Sequence, residues 1–134
     1  MKENELMIGD WVYNSRNHKN ERVGGVGERW LMLDYNDVYE YEEIELIPLT
    51  PEILEKNGFM RFDFCGIEGG HQWSLWIDNL TSVTLWCREL NDNPKDGWMI
   101  RVESQLATCC YKIESVHQLQ QTMRLCKINK EIEL

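Results

Sequence analysis

Residues 59–104 read FMRFDFCGIEGGHQWSLWIDNLTSVTLWCRELNDNPKDGWMIRVES, and this stretch decides the architecture. Four runs within it, 59–65, 72–78, 82–88 and 98–104, alternate apolar and polar residues with a period of two. That period marks strands with one buried face. The separators 66–70, 79–81 and 91–97 are rich in Gly, Asn, Asp and Pro, the residues that turns demand. Short turns make neighbouring strands antiparallel, so the stretch predicts a meander. Residues 106–113 predict a fifth strand.

The alternation also assigns faces. Met60, Phe62, Phe64, Trp73, Leu75, Ile77, Val83, Leu85 and Cys87 form the expected core face. Arg61, Asp63, Ser74, Trp76, Asp78, Thr84, Trp86 and Arg88 form the opposite one. In the fourth run either Trp98, Ile100 and Val102 or Met99, Arg101 and Glu103 point inward. The first set is the more apolar, which puts Arg101 on the second face.

Working outward, residues 116–127 predict a helix with Ser115 as N-cap. Val116, Leu119, Met123 and Cys126 recur on one face, expected to pack on the meander. Gln118, Gln121 and Arg124 point away from it. Asn129 is the expected terminator, and 131–134 a short last strand. Upstream, Thr50 caps a short helix that Pro51 starts and Gly58 ends, with Asn57 just before it. Residues 1–49 predict a curled antiparallel sheet of short strands near 10–14, 28–34 and 38–42, with a bulge in the Gly-rich 22–27. The expected fold is α+β: a small N-terminal β-unit (1–49), a linking helix (50–58), then the antiparallel meander with a C-terminal helix on one face (59–134). A unit as small as the first does not stand alone, so 1–134 is read as one domain.

Composition narrows the function. Acidic residues outnumber basic ones 23 to 14, a net charge of -9. Such a chain repels phosphate backbones, which disfavours non-specific nucleic-acid binding. No apolar run is long enough for a membrane span. Residues 1–10, MKENELMIGD, carry no apolar signal core. The five cysteines, Cys65, Cys87, Cys109, Cys110 and Cys126, are odd in number and lack CxxC spacing. They read as reduced thiols of a cytoplasmic protein.

Three segments, Glu5 to Val12 (ELMIGDWV), Ile47 to Phe59 (IPLTPEILEKNGF) and Ser115 to Gln120 (SVHQLQ), carry a resemblance. In these the chain resembles a family of small proteins from Bacteroidales bacteria and their phages and mobile elements. The resemblance implies a cytosolic protein of phage or prophage origin, and implies no activity.

No strong catalytic signature is present. Gly24, Gly25 and Gly27 lack the Lys-Ser/Thr and the helix of a phosphate loop, so a bulged hairpin is the better reading. His71 and His117 with Cys109 and Cys110 match no zinc-site spacing, and neither metal nor cofactor is expected. Glu40, Glu42, Glu43 and Glu45 read as a solvated edge that discourages aggregation.

The strongest constellation is the second face of the meander, where Trp76, Trp86, Arg61, Arg88 and Arg101 gather. Indole and guanidinium together suit a protein interface. They also suit a nucleotide-like anion, stacked on the indoles and held by the arginines. The bland alternative buries the tryptophans under the N-terminal sheet and pairs the arginines with Asp63, Asp78 and Glu103. The leading expectation is a non-enzymatic binding protein that meets a host or phage protein. A homodimer is another way to cover the face, and sequestration of a nucleotide-like ligand is the alternative function.

Overall fold

The computed structural model describes residues 6–34, 37–63, 71–87, 97–105 and 108–134. The fold is α+β; the described residues form ten strands in two antiparallel sheets and two α-helices. The chain divides into two compact units. One comprises Met1–Pro48 and Ser115–Leu125, the other Leu49–Glu114 and Cys126–Leu134. Among the described residues, no helix is long and apolar enough to cross a membrane.

The first unit holds β1 (Trp11–Asn14), β2 (Lys19–Val26), β3 (Trp30–Leu33), β4 (Asp37–Glu40) and β5 (Ile44–Glu45). A single 3-10 turn at Tyr41–Glu43 carries the chain from β4 back to β1, so the strand order is β4-β3-β2-β1-β5. Alternate side chains, Val12, Val23, Leu31, Leu33, Tyr39 and Ile44 among them, fill the core. The expected bulge is present, as a register shift between Val23 and Gly25. A Cβ at Gly24 would come within 3.1 Å of the Asp34 carbonyl, so the bulge excludes a larger residue without adjustment. At the rim, Arg16 grips Glu43 through Nε and Nη2, with the shortest contacts at 2.6 Å, and lies over the Tyr39 ring.

Helix α2 (Val116–Leu125) belongs to this unit. Within it the helix is held by hydrogen bonds to residues 9–11. Gln120 accepts from the Trp11 amide at 2.8 Å and donates to the Gly9 carbonyl at 3.0 Å. Asp10 is fully buried, and its carboxylate accepts from Arg124 at 2.6 Å and from Gln121 and the Met7 amide at 2.8 Å. Gln121 and Arg124, off the apolar stripe, thus form a polar lock on Asp10. Val116, Leu119 and Met123 are buried as expected. The helix ends at Leu125, and Lys127, in the left-handed region, turns the chain where Asn129 was expected to do so.

The second unit opens with helix α1 (Pro51–Lys56), and here the sequence reading holds residue by residue. Thr50 Oγ1 accepts from the Ile53 amide, Pro51 sits in the first turn, and Gly58 exits at a φ of 87°. The sheet runs β10-β9-β8-β7-β6, a pure meander. Its strands are β6 (Met60–Asp63), β7 (His71–Trp76), β8 (Ser82–Trp86), β9 (Trp98–Glu103) and β10 (Thr108–Ile113). One face buries Trp73, Val83, Leu85, Trp98, Ile100, Val102 and Ile113. Trp98 Nε1 donates to the Leu49 carbonyl at 3.2 Å, whereas the buried Trp73 Nε1 has no partner among the described residues. Gly97 has a φ of 88°, and a Cβ there would meet the Ile113 carbonyl at 2.7 Å, so the entry to β9 requires glycine.

Residues 126–134 form no strand, contrary to the reading of 131–134. Asn57 substitutes for a ladder. Its side chain donates to the Glu133 carbonyl and accepts from the Glu133 amide, both at 2.7 Å. This clamp leaves Ile128 and Ile132 buried. Phe64, Cys65 and Arg88, all named in the sequence reading, lie outside the described residues.

Candidate functional site

Residues directly opposite each other in a ladder point to the same side of the sheet. The register therefore sorts the outer face of the meander into three rows. The first runs Phe62, Gln72, Trp86, Met99, Lys112. The second runs Met60, Ser74, Thr84, Arg101, Cys110, and the third Trp76, Ser82, Glu103, Thr108.

Three of the five expected site residues, Trp76, Trp86 and Arg101, share this face. Arg61 does not. It lies opposite Trp73 in the ladder and so falls on the other side. Arg88 lies outside the described residues. The cause of the Arg61 correction is local. Phe59 is 3% exposed, and its amide donates to the Leu54 carbonyl as α1 closes through Gly58. With Phe59 turned inward, period-two alternation puts Arg61, itself exposed, on the Trp73 side and Met60 and Phe62 on the outer one. Met60 and Phe62, read as core, are 65% and 44% exposed. Ile77, also read as core, falls past the end of β7 and is exposed. Met60 and Phe62 are the apolar members of the face that alternation alone missed.

The centre of the face is small and polar. Ser74 and Thr84 share a hydrogen bond at 3.1 Å, and both hydroxyls are buried, as is Ser82. Larger side chains surround them. Trp76 stands 65% exposed. Trp86 is half-buried, with the Arg101 guanidinium 5.8 Å from its ring centroid. Arg101 also pairs with Glu103 at 3.3 Å. A stacked and ion-paired guanidinium has less to offer a phosphate than a solvated one.

The two indoles are attached well apart on the sheet. Trp86 lies opposite Gln72, and Trp76 is four residues beyond Gln72 on β7, which separates their attachment points by roughly 13 Å. The face is therefore extended, apolar at two ends and polar between them.

No converging acid, base and nucleophile occur on these rows. Among the described residues, no three His, Cys, Asp or Glu side chains gather as a metal site. His117 is buried with Nδ1 2.9 Å from Ser115 Oγ, and Cys109 lies against Cys126. Family models, curated proteins and solved structures contain no match to this chain.

Proposed function

We propose that the chain is a non-enzymatic binding protein, of phage or mobile-element origin, that meets a protein partner through the outer face of the meander. The exposure of Trp76 carries this reading. A large indole left in water, diagonal to the exposed Met60 on a regular sheet, is what an interface anchor requires. The span between the two indoles favours an extended surface over a single base, and the engagement of Arg101 weakens the case for an anionic ligand. With a net charge of -9, the partner is a protein that sets apolar side chains within a basic rim.

A nucleotide panel followed by tryptophan fluorescence separates this from ligand sequestration. No nucleotide is expected to change the emission. A saturable change lost in Trp86→Ala would favour the sequestering protein instead. Against a basic partner, Trp76→Ala is expected to weaken binding about 30-fold. Its melting temperature stays close to that of the parent, since the ring is mostly in solvent. Equal capture by parent and variant would remove the face from the interaction. Light scattering distinguishes a homodimer, whose dissociation by Trp76→Ala would make the partner a second copy of the chain.

A further inference from the structure

The sulfurs of Cys109 and Cys126 lie 3.8 Å apart, in contact but not bonded. Cys109 is on β10, opposite Val102, and Cys126 opens the tail that Asn57 clamps. Both are of intermediate exposure. A disulfide needs about 2.0 Å, so bond formation requires less than 2 Å of approach. Cys126 lies outside any helix or strand, where the backbone can supply that movement. The other described thiols are placed differently. Cys87 is buried, and Cys110 points to the opposite side of the sheet from Cys109.

The pair is also reachable. Cys126 and Lys127 form one wall of a cleft of about 460 Å³ whose other walls include Asp78, Asn79, Thr81 and Ser104. The open cleft carries both charge signs, from Asp78 and Lys127, and brings a small zwitterionic molecule beside Cys126.

We propose that Cys109 and Cys126 are a redox-reactive dithiol, which closes to an intramolecular disulfide by exchange with a small disulfide entering this cleft. One protein thiolate attacks a sulfur of the small disulfide. That S–S bond breaks, one small thiol leaves, and a mixed disulfide remains. The second cysteine loses its proton and attacks the protein sulfur of the mixed disulfide, releasing the second small thiol. Two protein thiols are oxidised and one small disulfide is reduced to two thiols. The product ties the tail to β10 and removes conformations from the unfolded chain. Burial and the neighbouring Cys109 push the Cys126 thiol up, so closure accelerates as pH rises.

The test treats the folded full chain with glutathione disulfide. Intact mass is expected to fall by two hydrogens, and peptide mapping is expected to join Cys109 to Cys126. Dithiothreitol reverses the change. The oxidised chain should melt about 5 °C above the reduced one. Cys109→Ser should instead trap the tripeptide on Cys126, with no rise in melting temperature, while Cys110→Ser should still form the link. The proposal is overturned if both thiols stay reduced in the folded chain. It is also overturned if the bond formed joins another pair or two chains, or if Cys109→Ser still loses two hydrogens.

Discussion

Trp73 and Trp98 are both buried indoles on the inner face of the meander, and they differ in one hydrogen bond. Trp98 donates to the Leu49 carbonyl, and Trp73 Nε1 donates to nothing among the described residues. A buried polar group without a partner costs roughly 1–3 kcal/mol. Replacement by Phe removes a satisfied donor at position 98 and an unsatisfied one at 73, with the same loss of ring volume. Trp98→Phe should therefore destabilise by about 1–2 kcal/mol more than Trp73→Phe, as read by urea unfolding. An equal loss would mean that the Trp98 bond contributes nothing. At this scale the sequence already shows that six tryptophans demand either core or interface. It does not show which indole finds an acceptor, because Leu49 is 49 residues away from Trp98 in the chain.

Among elements, the legibility differs sharply between the helices. In α1 the signals are local. Thr50, Pro51, Asn57 and Gly58 act within one or two turns, and each was readable at its position. In α2 the apolar stripe of Val116, Leu119 and Met123 was readable, but the role of its polar side was not. Gln120, Gln121 and Arg124 reach partners more than a hundred residues earlier, centred on the buried Asp10. Arg124→Met keeps the side-chain bulk and leaves that carboxylate with only Gln121 and the Met7 amide. We expect a loss of about 2–3 kcal/mol, measured by denaturant unfolding. A variant as stable as the parent would show that Gln121 and Met7 satisfy Asp10 unaided. The phase of β6 is a second case. Met60, Phe62 and Phe64 alternate as convincingly as any core strand, yet the α1 exit turns Phe59 inward and reverses the faces. Alternation gives the period of a strand, and only its neighbours give its phase.

For the whole molecule, charge links sequence to stability. The Arg16 guanidinium, hydrogen-bonded to Glu43, holds that carboxyl below its ordinary value of 4.5. A carboxylate with a depressed folded pKa stabilises the fold above its unfolded pKa, and loses that contribution as pH falls through the folded one. Glu43→Gln should therefore melt slightly below the parent at pH 7, with the gap closing on acidification below about pH 4. Both groups are exposed, so the gap is small and salt narrows it. A gap unchanged in acid would assign it to packing rather than charge. Composition, the period-two runs, the caps of α1 and the bulge near Gly24 determined the α+β class without coordinates, because each depends on residues a few positions apart. The grouping of α2 with the N-terminal strands, the side of the sheet on which Arg61 falls, the Asn57 clamp and the meeting of Cys109 with Cys126 were decided by tertiary structure alone. Each depends on which distant segments share a surface, and that is set by the joint burial of many side chains rather than by any local pattern.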